Sequence, residues 1–165
     1  MSRHFPATCS IVVKKRRIAF KLSHWFCFNE MSATTCKLLS LNVRGISNFK
    51  KRKTKFTWCP KQKADFIFLQ ETHSKIDSKK CWRNEWAGDI IMAHGSSNSR
   101  GVVILVTEDV DCTIHSNILY PLGQFIIVKA EIRDKMYVLS NIYAPNKDSN
   151  IESFFKNLLV TLQKK

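Results

Sequence analysis

Acidic residues are scarce in this chain: 13 Asp and Glu stand against 27 Lys and Arg, a formal net charge of +14 over 165 residues. Such a balance favours an anionic partner, nucleic acid above all, because a basic surface concentrates polyphosphate and steers its approach. A lysine-rich surface kept for solubility is the competing explanation. The six cysteines form no C-x-x-C pair and no His-x-x-x-His spacing accompanies them, so the usual zinc frameworks are absent. His24 and Cys27 lie three apart without a second pair of ligands. The cysteines read as free thiols in a reducing, intracellular compartment, nuclear or cytoplasmic. Long apolar runs are missing too. The stretch from Ile18 to Phe28 is interrupted by Lys21 and His24, which predicts neither a membrane span nor a signal peptide.

What is present suits one ordinary domain. The composition is 44% hydrophobic and 11% aromatic, enough to bury a core. A small polar stretch, Met31-Ser32-Ala33-Thr34-Thr35, divides a basic, aromatic leader from a regular alternation of strands and helices. Residues 1–35 are therefore expected to be an appendage and residues 36–165 the domain. Met31 would suit a native start, with residues 1–30 as upstream sequence. Within the leader, Lys14-Lys15-Arg16-Arg17 reads as a nuclear-import or phosphate-contacting patch, or as a solvated basic segment.

Hydrophobic patterning predicts a strand at Leu38–Val43, a basic helix over 48–63 facing inward with Phe49, Phe56 and Cys59, and a strand at 65–70. A polar segment from Ser74 to Trp86 follows, anchored by Ile76, Trp82 and Trp86. Further strands are expected at Asp89–Ala93, Val102–Thr107, Cys112–His115, Gln124–Ile132 and Met136–Tyr143. The last two are joined by a hairpin turn at Arg133-Asp134-Lys135. Ile151, Phe154, Phe155, Leu158, Leu159 and Leu162 recur at helical spacing and predict an amphipathic helix over 150–163. Together these elements predict an α+β fold, a mixed and mostly antiparallel sheet with helices on one face. Strands such as Val102-Val103-Ile104-Leu105-Val106 are apolar at consecutive positions, which requires cover on both faces. The patterning does not reveal the second cover.

The chemistry centres on Gln70-Glu71-Thr72-His73, which ends the buried strand Asp65-Phe66-Ile67-Phe68-Leu69. A carboxylate held at the end of a rigid strand is a good ligand for a hard divalent cation. A strand end carrying a solvated Glu is the alternative. Four ordered segments then stand out: Leu41-Asn42-Val43-Arg44-Gly45, Gln70-Glu71-Thr72-His73, Arg100-Gly101-Val102-Val103-Ile104-Leu105-Val106 and Asn141-Ile142-Tyr143-Ala144-Pro145-Asn146. In order and approximate spacing, over residues 37–164, they resemble the first half of the endonuclease/exonuclease/phosphatase superfamily. The closest likeness is to the apurinic-type endonuclease domain of LINE retrotransposons.

This resemblance implies half of the four-layer helix/sheet/sheet/helix sandwich of DNase I-like nucleases, with a second sheet as the missing cover. It implies that Glu71 binds Mg2+, that Asn42 helps to hold metal or phosphate, and that Tyr143 contacts the scissile phosphate with Asn146 beside it. The residue types fit, since magnesium needs few protein carboxylates and amide and phenol groups donate to phosphate oxygens. Local sequence alone makes Asn42 a turn residue and Tyr143 a packed strand-end aromatic. His73 is read as part of the strand exit rather than as an acid-base group. Lys50, Lys51, Arg52, Lys53 and Lys55 are candidate DNA-backbone contacts, or a solvated helix face. The G-D-F-N and S-D-H segments that carry the family's water-activating Asp, second Asn and phosphate-stabilising His do not occur in these residues. The resemblance therefore implies a truncated domain with little hydrolysis of its own, from a parent protein with a reverse transcriptase region. A catalytically dead nucleic-acid-binding module and a decayed retroelement fragment are the alternatives.

Overall fold

The computed structural model describes residues 9–14, 24–28, 36–96, 98–145 and 148–163, with backbone alone at 9–14, 24–28, 148–149 and 162–163. In chain order the strands and helices are β1 (Cys9–Lys14), β2 (His24–Phe28), β3 (Cys36–Asn42), α1 (Phe49–Trp58), β4 (Phe66–Gln70), α2 (Lys79–Glu85), β5 (Ile90–Ala93), β6 (Val102–Val106), β7 (Cys112–Leu119), β8 (Phe125–Ile132), β9 (Lys135–Tyr143) and α3 (Asp148–Gln163). The fold is α+β, built on a mixed four-strand sheet in the order β3-β4-β6-β5 and an antiparallel three-strand sheet in the order β9-β8-β7. At the backbone level, β2 lies antiparallel to β3 and β1 parallel to β9. The leader boundary at Met31–Thr35, the cations Lys15, Arg16 and Arg17, and the side chains of Lys14, His24 and Cys27 lie outside the described residues.

The consecutive apolar residues of β4 and β6 are explained by cover on both faces. Phe66, Phe68, Val102, Ile104 and Val106 pack against Ile126, Val128, Ala130 and Leu139 of the three-strand sheet. Their alternates Ile67, Leu69, Val103 and Leu105 pack against Phe56 of α1 and Trp82 of α2. The far face of the three-strand sheet buries Phe125, Ile127 and Ile142 against Phe154 and Leu158 of α3. The expectation of one sheet with helices on one face is thus corrected. The strands after Val106 form their own sheet, and helices flank both outer faces.

The turn at Arg133-Asp134 has both residues at positive φ, +49° and +64°, between the paired Ile132 and Lys135. This is the two-residue geometry whose twist matches the strands it joins. Strand β7 runs to Leu119, four residues beyond the expected end. In α3, Phe154 and Leu158 are buried, Ile151 and Phe155 half-buried, and Leu159 is 57% exposed.

Helix α1 starts where the Asn48 side chain accepts a hydrogen bond from the Lys51 amide, and Pro60 then opens a short 3-10 turn. Its inward face is Arg52, Phe56 and, just past its end, Cys59. Phe49 is 55% exposed and Ile76, expected as an anchor, 72% exposed, whereas Trp82 and Trp86 are buried as expected. The guanidinium of Arg52 makes paired 2.7 Å bonds from Nε and a terminal nitrogen to the Glu85 carboxylate, donates to the Ser47 carbonyl, and lies 5.0 Å from the Trp82 ring centre. Removing one partner of such a buried pair strands the other. Arg52→Ala is therefore expected to lower stability by about 3 kcal/mol, and Lys50→Ala to change it by less than about 0.5 kcal/mol, as measured by urea unfolding. Equal effects would show that Arg52 is not structural.

Candidate functional site

Strand β4 ends at Gln70, and the next residue turns sharply: Glu71 has φ +54° and is 4% exposed. The hydroxyl of Tyr143, at the end of β9 in the other sheet, donates to Glu71 Oε1 at 2.6 Å. That distance is characteristic of a hydroxyl donating to a carboxylate. Asn42 ends β3 in register with Gln70 and is half-buried. Its Oδ1 accepts from the Arg44 amide at 3.1 Å, the local turn contact expected of an Asn before Gly45. Asn42, Glu71 and Tyr143 thus stand at one rim, where strand ends of both sheets meet. Asn146 lies outside the described residues.

Backbone conformation marks the same rim. Arg44, Glu71, His73 and Arg100 all have positive φ without being glycine, each at a cost of about 1–2 kcal/mol. They are held by a backbone zipper: Gly45 N to Glu71 O, Ile46 N to Thr72 O, Thr72 N to Gly101 O and His73 N to Arg100 O, all between 2.6 and 3.0 Å. Two glycines are needed for this approach. A Cβ on Gly45 would come within 2.6 Å of the His73 ring, and one on Gly101 within 2.6 Å of Thr72 Oγ1.

Beneath the rim lies a buried amide network that the sequence reading did not assign. Gln70 Nε2 donates to Asn141 Oδ1 at 2.8 Å and to Ser40 Oγ at 3.2 Å. Asn141 Nδ2 donates to the carbonyls of Leu69 and Val103 at 3.0 and 2.8 Å. The available signal was parity: Leu139, Asn141 and Tyr143 alternate on one strand face, which puts an amide in an apolar row.

The basic helix contributes unevenly. Lys50, Lys51 and Lys53 are exposed and Lys55 is half-buried. Lys51 Nζ donates to the Arg44 carbonyl at 2.8 Å and so reaches the rim. Lys53 Nζ sits 5.8 Å from the Phe49 ring centre and Lys55 Nζ 5.7 Å from that of Trp58. Lys53 lines a groove with Phe49, Phe56, Asp65 and Trp86 rather than the rim. Arg52 leaves the set of surface cations, because its guanidinium is consumed by Glu85.

Among the described residues no group of three or more His, Cys, Asp and Glu is placed to hold a metal ion. Magnesium does not require such a group, since it keeps several waters and takes one or two carboxylates plus phosphate oxygens. A single buried carboxylate on a basic rim is compatible with that habit, and Glu71 and Asn42 are the side chains there that could hold such an ion.

His94 adds a titratable element. The buried Thr72 hydroxyl donates to Ser74 Oγ at 3.3 Å, and Ser74 Oγ lies 3.1 Å from His94 Nδ1. Ser74 Oγ can donate to Nδ1 or accept from it, so this contact ties His94 to the rim segment in either tautomer. Burial, and then the Lys79 cation, push the His94 pKa below its ordinary value. The unfolded chain therefore binds a proton near pH 6.5 that the folded chain refuses, so stability falls as pH drops from about 7 toward 5. His94→Gln is expected to flatten that part of the curve, as read by urea midpoints at both ends. An unchanged slope would show that His94 titrates normally.

No family model matches the chain. A distant, partial similarity links it to the Transposon TX1 uncharacterized 149 kDa protein of Xenopus laevis, 30% identical over 91 residues, which are 55% of this chain and 7% of that protein. The chain is thus related in part to a transposon-encoded protein and covers a small fraction of its length.

Proposed function

We propose that the chain carries the metal- and phosphate-binding part of a magnesium-dependent, DNA-nicking phosphodiesterase of LINE type, built on half of a DNase I-like sandwich, and that these residues alone hydrolyse little DNA. The observation that carries this reading is the 2.6 Å contact between Tyr143 and Glu71, two side chains 72 residues apart on different sheets. They are the residues that the resemblance assigns to phosphate and to metal. The helices outside two facing sheets and the partial likeness to a transposon protein support it.

In this reading Glu71 anchors the cation with Asn42 beside it, and Tyr143, whose one hydroxyl proton goes to the Glu71 carboxylate, orients that carboxylate rather than donating to the phosphate itself. Arg44, Lys51 and Arg100 line the rim as charge for backbone phosphates. The bound cation would neutralise charge developing on the phosphodiester oxygens. Activation of water is the missing part. His73 packs over Gly45, and the G-D-F-N and S-D-H segments are absent from the sequence. Groups that act together lose most of their effect when some are removed.

A second reading, a nucleic-acid-binding module without catalysis, is favoured by the +14 charge and the exposed Lys50, Lys51 and Lys53. Cation binding at Glu71 separates the two, and supercoiled plasmid with magnesium tests the inactivity that both expect. The chain and Glu71→Ala are both expected to leave plasmid un-nicked, while affinity for duplex DNA falls at least about tenfold between roughly 50 and 200 mM salt. Mn2+ is expected to broaden NMR resonances of the rim in the wild type and not in Glu71→Ala. Glu71-dependent nicking would overturn the predicted inactivity. Broadening that survives Glu71→Ala would remove the cation site, and a flat salt response would remove nucleic acid as partner.

A further inference from the structure

We propose that the turn between β7 and β8, Leu119 to Gln124, is a DNA contact in which Leu122 packs against a base step next to the phosphate held at the rim. The inference rests on the phosphodiesterase reading of that rim. Leu119 and Leu122 are 40% and 50% exposed, and Pro121 between them is exposed as well. Single exposed leucines are ordinary, but these two stand three residues apart, Leu119 at the end of β7 and Leu122 in the turn that follows, whose backbone is held at several points.

The turn is bolted on every side. Gly123 N donates to Tyr120 O at 2.9 Å and Tyr120 N to Phe125 O at 3.1 Å, while the Tyr120 ring stacks on Phe125 with centres 4.4 Å apart. Gly123 has φ +63°, and a Cβ there would come within 2.3 Å of the His94 carbonyl. The bonds that lead outward go to the candidate site itself. Gly101 N donates to Gly123 O at 2.9 Å, and Gly101 O in turn accepts from Thr72 N, the neighbour of Glu71. Tyr143 N donates to Gln124 O at 2.7 Å. The apolar tip is therefore fixed in space relative to both Glu71 and Tyr143.

The chemistry of the surroundings selects the partner. Arg100 is exposed next to Gly101, whose amide is bonded to the turn, and Arg44 is exposed at the other end of the same zipper of strand ends, where Lys51 reaches its carbonyl. An apolar tip joined to a rim that carries exposed cations matches a polyanion that also offers apolar base surface, which duplex DNA does between its base pairs. Aliphatic wedges of this kind partly unstack a base step and gain contact area in return. Because such contact releases no counterions, it adds affinity without adding salt dependence.

The test uses the full chain, duplex DNA carrying 2-aminopurine, fluorescence anisotropy over a salt series, and the exposed-site variants Leu122→Ala and Leu122→Ser. Near-UV circular dichroism of both variants should match the wild type. Expected are a rise in 2-aminopurine emission on binding the wild type, its loss in Leu122→Ser, and an approximately 5- to 10-fold weaker affinity at every salt concentration with the slope unchanged. Leu122→Ala should fall between. Lys51→Ala should instead reduce the slope. Wild-type affinity in Leu122→Ser, or an emission change that survives the substitution, would overturn this inference and leave the rim reading intact. Failure of the wild type to bind DNA would overturn both. Loss of self-association rather than of DNA affinity in Leu122→Ser would make the turn a protein contact and overturn the proposal.

Discussion

One buried amide governs how the two sheets meet. An apolar interface between sheets sets their separation well but resists sliding only through the fit of its side chains. Asn141 adds a directional condition, since its Nδ2 donates to carbonyls of two different strands of the opposite sheet and its Oδ1 accepts from Gln70. Each of these groups is fully buried, so leaving one unpaired would cost about 1–3 kcal/mol. A slide of one residue along β9 would break all three bonds at once. The end of β9 is therefore held over the end of β4, and Tyr143, two residues further along the same face, meets Glu71, one residue past Gln70. The candidate site follows from the sheet register that Asn141 enforces.

Four left-handed residues at the rim are tolerated for a related reason. Local preference opposes each of them, but each sits in backbone already bonded to a neighbour across the rim. The Glu71 carbonyl is taken by Gly45 N and the Thr72 amide by Gly101 O, so relaxing Glu71 toward ordinary φ would break bonds on both sides. Gly45 and Gly101 make the approach possible, because a side chain at either would collide with His73 or Thr72. Strain of this kind concentrates where a side chain must be aimed rather than merely accommodated.

Periodicity made most elements legible. The Arg133-Asp134 hairpin, α3 and the fully buried strands β4 and β6 follow from period and turn chemistry. Partition of the strands into two sheets was not legible, because pairing is a non-local property and β7, with alternate residues half-buried, looks the same whichever sheet it joins. Arg52 shows a second limit. It sits in a run of cations, and only the distant Glu85 and Trp82 reveal that it is an internal residue. The place of Glu71, Asn42 and Tyr143 at one rim was read from ordered motifs, whereas Asn141 was passed over, although its parity with Tyr143 held the clue.

The same geometry redistributes the positive charge. With Arg52 bound to Glu85, Lys55 half-buried near Trp58 and Lys53 lining the groove beside Phe49, α1 offers the rim chiefly Lys51, whose ammonium is tied to the Arg44 carbonyl. The other cations of the rim, Arg44 and Arg100, belong to the left-handed loops themselves. Beyond about 10 Å the remaining lysines are screened at moderate salt and act on an approaching polyanion mainly by steering it. The charge at the rim itself is that of Lys51 and of two arginines whose backbone positions are set by the zipper around Glu71. Any change that loosens the zipper would displace the carboxylate and the cations together, so the positions of the rim cations and the aim of Glu71 are coupled through one piece of backbone.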